Sequence, residues 1–325
     1  MRRPLSPACF LLILFRNGGV TARGAAHFRK GSPATHKPDW LKVRLPSHGN
    51  FFLVSEILRK GGLHTICESA RCPNIGTCWE RKTATFLVLG DVCTRNCAFC
   101  AVAKGRPDPP DADEPGRVAG AVAALGLAYA VVTSVTRDDL PDGGAAHFAA
   151  TVRAIREKSP GTRVEVLIPD LQGDREALAA VLDAGPDVLN HNLETTEAMY
   201  PAIGRPRENY RRSLDVLAAA KRRGAATKSG LMVGLGEREE DVLRSFADLR
   251  RAGCDLLTIG QYLRPRASNP PVARYYAPAD FASLGAAARA AGFAEVMSGP
   301  LVRSSFEAAR MHRTVRERES LPCGT

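Results

Sequence analysis

Apolar and polar positions along this chain follow two alternating rhythms. Nearly continuous apolar runs at 84–89, 129–134, 164–168, 188–193, 228–233 and 256–260 read as buried strands. Between them, 117–125, 145–158, 175–184, 210–223 and 239–252 repeat apolar residues at helical spacing, with charged residues on the opposite face. Strands and helices alternating at this interval predict an α/β fold with a parallel sheet and right-handed crossovers. Six such units predict an open, partial (β/α)6 barrel, and a seventh short run at 294–298 predicts an added edge strand. Pro-rich 104–116 and 262–278 read as long loops and candidate lids, because loops of that length in a compact domain are commonly functional.

The chemistry-bearing residues are cysteines. Six of the nine fall between Cys67 and Cys100, in two triplets of different spacing: C-x4-C-x5-C at Cys67, Cys72 and Cys78, and C-x3-C-x2-C at Cys93, Cys97 and Cys100. Structural zinc favours C-x2-C pairs supplying four closed ligands, and neither triplet has that form. A disulfide framework belongs to small secreted chains, whereas 325 residues suffice for an ordinary core. Three thiolates suit a 4Fe-4S cube with one iron left open, and an open position makes a metal site reactive. The second triplet directly follows the first predicted strand, at the sheet edge where parallel α/β folds place their chemistry. The first triplet precedes that strand, in an N-terminal extension.

The C-x3-C-x2-C triplet, with Phe99 between its last two cysteines, resembles the signature of radical S-adenosylmethionine (SAM) enzymes. Adding the C-x4-C-x5-C triplet, the chain resembles the lipoyl synthase family. Matching phrases run from KPDWLKVRLP through ESARCPNIGTCW, TATFLVLGDVCTRNCAFCAV, RDDLPDGGAAHF, HNLET, GLMVGLGE and IGQYLRP to GPLVRSSF, over residues 37–306. Two places depart from the family pattern. Phe306 stands where many members have tyrosine, and Ser268–Asn269–Pro270–Pro271–Val272 replaces a stretch that often reads H-L-P-V.

The resemblance implies a radical SAM barrel at 84–300, an extension at 38–83 carrying an auxiliary cluster, and a C-terminal segment, 301–325, supplying a serine ligand. It implies insertion of two sulfur atoms, at carbons 6 and 8, into an octanoyl chain on a carrier lysine. Cys93, Cys97 and Cys100 are implied to hold the SAM-binding 4Fe-4S cluster. Cys67, Cys72, Cys78 and Ser305 are implied to hold a second 4Fe-4S cluster that donates sulfur and is consumed. Unactivated C–H bonds have no acidic proton, so a cofactor radical rather than general acid–base catalysis must start such a reaction. From spacing alone, Ser304 and Ser305 equally read as the end of a helix.

Other candidates carry weaker signals. Asn190, Asn192 and Glu194 sit at a strand end with alternate side chains on one face, as candidate contacts for the ribose or methionine of SAM. His191 between them points the other way and reads as a satisfied core histidine. Gly234 and Gly236, in GLMVGLGE, let a backbone approach adenosine or simply form a turn. Arg137–Asp138–Asp139 reads either as substrate-orienting or as a turn cap. Cys254 reads as core, and Cys9 and Cys323 are assigned nothing.

Charge changes the picture only at the N-terminus. Residues 1–38 carry seven cations and no acid, so the net charge of +11 leaves +4 for the remainder. That excess is too small for a nucleic-acid footprint; it suits an acidic protein substrate, or equally a solvated surface with no partner. The apolar run 8–15 is too short to span a bilayer. Residues 1–37 weakly imitate secretory or mitochondrial targeting signals and otherwise read as a disordered or mis-started extension. Reduced thiols and oxygen-sensitive clusters argue against export, so a cytoplasmic location is expected, with a mitochondrial one second.

The implied partners are octanoylated lipoyl-carrier domains of 2-oxoacid dehydrogenase complexes and the glycine cleavage H protein. A ferredoxin, flavodoxin or reductase electron donor and an iron–sulfur repair carrier are implied as well; nucleic acid and membrane are not. Two other readings compete: a radical SAM methylthiotransferase acting on tRNA, and a non-catalytic iron–sulfur carrier.

Overall fold

The apolar runs assemble into one eight-stranded sheet. The computed structural model describes residues 37–43 and 49–320, all within a compact unit spanning 31–325. The tail reading of residues 1–37 lies outside the described residues except for Lys37, as do Cys9 and Cys323. Among the described residues no helix is long and apolar enough to cross a membrane.

The chain enters through α1 (Gly49–Lys60), β1 (His64–Thr65), α2 (Ile66–Ser69) and α3 (Ile75–Glu80). It continues into β2 (Thr85–Val88), then the short β3 (Val92–Cys93) and β4 (Ala103–Lys104). Four alternations follow: α4 (Glu114–Leu125) to β5 (Tyr129–Ser134), α5 (Ala145–Lys158) to β6 (Arg163–Leu167), α6 (Arg175–Asp183) to β7 (Val188–Asn190), and α7 (Glu208–Arg222) to β8 (Thr227–Val233). The chain ends with α8 (Glu239–Arg251), β9 (Leu256–Gln261), α9 (Pro278–Ala290), β10 (Glu295–Gly299) and α10 (Ala308–Ser320).

The large sheet runs β1-β2-β5-β6-β7-β8-β9-β10. Its last seven strands are parallel, and β1 pairs antiparallel with β2 through His64↔Leu87 and Thr65↔Phe86. The expected seventh strand is β10, in register with β9 from Glu295↔Leu256 to Gly299↔Gly260. Central strands such as β9 are buried along their whole length, because helices cover one side and the barrel interior the other.

Helix boundaries follow local chemistry. Asp174 caps α6, its carboxylate accepting from the Glu176 and Ala177 N–H groups at 2.8 and 3.2 Å. Helix α8 opens on Glu239, Glu240 and Asp241 and closes on Arg250 and Arg251, which suits the helix dipole at both ends. Helix α4 begins earlier than its polar–apolar pattern predicts, because Pro115 fits the first turn where no N–H is needed. The sequence pattern did not single out α9. Its run of alanines blurs the contrast between faces, although Phe281, Leu284, Gly285 and Ala288 are buried at helical spacing.

Inside the barrel, Lys228 and Glu165 form a fully buried ion pair at 3.0 Å. Tyr129 Oη and Asn190 Nδ2 each donate to Glu165 at 2.8 Å. The charges are therefore neutralised and hydrogen-bonded where water is excluded. Phe306 packs against an apolar cluster of Val188, Leu256, Met297, Val302 and Met311, so the missing tyrosine hydroxyl leaves an ordinary core contact.

Candidate metal and cofactor site

The C-terminal ends of the parallel strands open on a cavity of about 590 Å³. Cys67 and Cys72 of the first triplet line it, together with Cys93, Cys97 and Cys100 of the second and Ser304 and Ser305 from the segment after β10. Cys78 is the one cysteine of the six that does not line it; it lies on α3, close enough to Cys67 and Cys72 for their charges to raise its pKa. All six thiols are free.

The second triplet sits in a loop pinned at many points. Strands β3 and β4 pinch its ends through Val92↔Ala103 and Cys93↔Lys104. Arg95, inside the loop, donates to Asp138 at 2.6 and 2.8 Å and to Asp170 at 2.6 Å. Arg137 is buried against the Leu89 carbonyl and holds Asp139. The Arg137–Asp138–Asp139 turn thus braces the cysteine loop against the end of β5. Asn269, from the 262–277 loop, donates from Nδ2 to the Ala98 carbonyl at 2.7 Å and reaches that of Cys100 at 3.3 Å. This long loop is therefore latched to the triplet.

The first triplet is held by short local turns. Cys72 N–H donates to the Cys67 carbonyl at 2.9 Å, and Cys78 N–H to that of Asn74 at 2.8 Å. Asn74 Nδ2 then donates to the Leu301 carbonyl at 2.6 Å, which ties the extension to the segment carrying the serines. Ser305 Oγ accepts from Thr85 Oγ1 at 2.9 Å, and Ser304 Oγ donates to Asn192 Oδ1 at 2.8 Å.

The donor set fits two iron–sulfur clusters. Burial pushes the thiols of Cys67 and Cys100 up to about 11 and that of Cys78 to about 12, and raises Cys72. A thiolate in such surroundings needs a cation beside it, which iron supplies. N–H groups already face the sulfurs: Arg205 Nε is 3.2 Å from Cys97 Sγ and Arg95 N is 3.4 Å from Cys93 Sγ. The backbone N–H groups of Thr85, Asn74 and Val102 offset part of the burial-driven rise at Cys67, Cys72 and Cys100. The buried indole N–H of Trp79 lies by Cys67 without an acceptor of good geometry, which a cluster sulfide would provide. Among the described residues no three Cys, His, Asp or Glu side chains converge on a point for a single ion. A cube, which gives each cysteine a different iron, requires wider-set thiols.

The remaining predicted contacts divide. Asn192 and Glu194 line the cavity, whereas Asn190 does not: it is one layer deeper, on the Lys228–Glu165 pair. Glu194 adopts φ +71° and its carboxyl is raised by burial, against the pull of Arg205 at 3.8 Å. His191 also borders the cavity, but both ring nitrogens are engaged, by the Ile168 carbonyl and Ser213 Oγ at 2.9 Å each. Gly234 and Gly236 do not line the cavity. At Gly234, φ is +109° and a Cβ would run into Gln261 and the Arg274 carbonyl, so glycine there serves the turn. Gly230 does line it, and a Cβ there would meet Asn192 Oδ1 at 2.6 Å and Ser304 Oγ at 2.9 Å. Cys254 is fully buried, as a core residue should be.

Sequence reasoning did not single out Arg205, Arg95, Asn269, Thr85 or Arg303. Arg303 is a half-buried cation on the cavity wall, its pKa lowered by desolvation and raised in part by Cys72. Asn269 was marked by its Pro-rich loop and by the departure from the family pattern at 268–272, and Arg95 by its place between Cys93 and Cys97; neither signal named the partner each side chain holds.

A sequence model of the Radical SAM superfamily matches residues 87–260, and one of the N-terminal domain of lipoyl synthase matches residues 21–72. The chain is 55% identical to a lipoyl synthase of Rubrobacter xylanophilus over 86% of its length and 88% of the relative's. It is 54% identical to a lipoyl synthase of Caldicellulosiruptor bescii over 84% of its length and 94% of the relative's. Among solved structures, Streptococcus suis SuiB bound to precursor peptide SuiA aligns with TM-score 0.50 at 10% identity, over 70% of this chain and 52% of that one, a likeness of fold alone.

Proposed function

The chain belongs to the lipoyl synthase family of radical SAM enzymes, and from that premise we propose how its cavity residues divide the work. The reaction inserts two sulfur atoms, at carbons 6 and 8, into an octanoyl chain carried on a lysine of a lipoyl-carrier protein, and it consumes a reductant. Two 4Fe-4S clusters and SAM, when bound, supply the electrons, the hydrogen-abstracting power and the sulfur.

Cys93, Cys97 and Cys100 hold the SAM-binding cluster, and Cys67, Cys72, Cys78 and Ser305 the sulfur-donor cluster. Asn192 and Glu194 contact SAM from the end of β7. Arg205, between Glu194 and Cys97, neutralises charge on both. The 38–83 extension, the 84–300 barrel and the segment from 301 onward each bring ligands to one space. The observation carrying this reading is that five of the six cysteines and Ser305 open on the same cavity. Cluster-bound sulfur and the substrate carbon must share such a space for the two to meet.

We assign the carriers to 2-oxoacid dehydrogenase complexes and the glycine cleavage H protein, and the electron donor to a ferredoxin or flavodoxin. An iron–sulfur carrier rebuilds the donor cluster, and the enzyme works in the cytoplasm. The test is anaerobic incubation of reconstituted protein with SAM, a reductant and an octanoyl-lysyl peptide. Mass measurement should show a lipoyl peptide whose formation requires SAM. SAM cleavage without any sulfur gained by the peptide would overturn the reading.

A further inference from the structure

We propose that Thr85 is a positioning residue for the sulfur-donor site, its side chain holding Ser305. The inference rests on the reading of Ser305 as a ligand. Thr85 is the first residue of β2, registered opposite Val131 of β5, and only 4% exposed. A buried hydroxyl must find a partner, and this one donates to Ser305 Oγ at 2.9 Å. A residue rigidly placed on the sheet therefore touches the ligand assigned to that site from the C-terminal segment.

The direction of the hydrogen bond matters. A serine oxygen bound to iron as an alkoxide would have lone pairs but no proton, so its neighbour would have to donate, and the Thr85 hydroxyl is placed to do so. Ser304, the adjacent hydroxyl, instead donates to Asn192, so the two serines are sorted by their partners. Oxygen is a hard ligand among sulfurs, and a donor fixed on the sheet compensates by holding it in place, as outer partners do at other metal sites.

The test uses protein reconstituted with enriched iron after replacement of Cys93, Cys97 and Cys100, so that only the donor cluster contributes to the Mössbauer spectrum. Ser305→Ala should change the signature of one iron in four. Thr85→Val should shift that same signature while iron per cluster stays near four, and Thr85→Ser should restore it. In otherwise intact enzyme, Thr85→Val should lower sulfur insertion per SAM cleaved by about tenfold, the scale of one charge-assisted hydrogen bond. Thr85→Ala, which cannot overpack the site, is the second variant if valine disturbs folding. A spectral change in Ser305→Ala with none in Thr85→Val and Thr85→Ala would overturn the role of Thr85 alone. No change in Ser305→Ala would overturn the ligand reading, and the role of Thr85 with it.

Discussion

Ser304 Oγ lies 2.8 Å from Asn192 Oδ1, and a side chain at Gly230 would collide with both atoms. The segment after β10 is thereby fastened to the chain just beyond β7, and its neighbour Ser305 pairs with Thr85 at the start of β2. This arrangement separates the two serines in their expected effects. Ser305→Ala should retain most of the iron but lower sulfur insertion by more than about tenfold, since on the proposed assignment it removes a ligand. Ser304→Ala should cost about 1 kcal/mol, the worth of one hydrogen bond, and lower insertion less than about fivefold. Iron analysis and product formation on the two variants, side by side, check this.

The two triplets should act independently. Intact reconstituted protein should bind about eight irons per chain, as two four-iron clusters. Replacing Cys93, Cys97 and Cys100 together should leave about half the iron and abolish SAM cleavage. Replacing Cys67, Cys72 and Cys78 should leave about half the iron with SAM cleavage intact and no sulfur in the peptide. Iron and sulfide assays, with methionine release from SAM, distinguish these outcomes.

Asn269 should report on the latch. Its amide donates to two carbonyl oxygens of the cysteine loop, so Asn269→Ala should raise the KM for SAM while iron content stays at the wild-type level. Asn269→Asp should be more harmful than alanine, because a carboxylate can only accept and would face two acceptors. Steady-state SAM cleavage by the two variants gives the order directly.

Much of this was legible in the sequence, and what was not has physical causes. The strands and five crossover helices follow from apolar period, and the cysteine triplets advertise themselves because short spacings keep ligands together whatever the fold. Thr85, Arg95, Arg205 and Asn269 could not be found that way. Each acts on a partner from 43 to 220 positions away, and only the folded barrel brings them together. Asn190 shows the complementary failure: alternation placed it on one face with Asn192 and Glu194, but β7 ends at Asn190, and the chain turns there. Asn190 stays inside the barrel while the other two reach the cavity.

The Arg95–Asp170 contact gives stability with a defined pH dependence. Burial alone would raise the Asp170 carboxyl, but the hydrogen bonds and charge of Arg95 outweigh it and hold the group at about 2. Because the folded-state value lies below the unfolded one of 3.8, the stabilisation is present above about pH 4. It is lost as pH falls toward 2 and amounts to about 2 kcal/mol. Asp170→Asn should lower unfolding free energy at neutral pH by a similar or larger amount, since Arg95 and Arg212 lose a partner. It should also flatten the acid limb of the stability profile, as followed by chemical unfolding across pH 2–7.

The central claim is that sulfur leaves the protein's own first-triplet site and enters the substrate, and single-turnover product analysis with isotopically labelled cluster sulfide tests it most directly. Enzyme carrying the label, given unlabelled medium, SAM, reductant and an octanoyl-lysyl peptide, should yield lipoyl peptide with both sulfurs labelled. Without a repair partner the yield should be at most about one lipoyl group per chain, because a four-iron cube is lost once its sulfur leaves. Unlabelled lipoyl peptide from fully labelled enzyme would contradict the account, and the role given to Cys67, Cys72, Cys78 and Ser305 would fall with it.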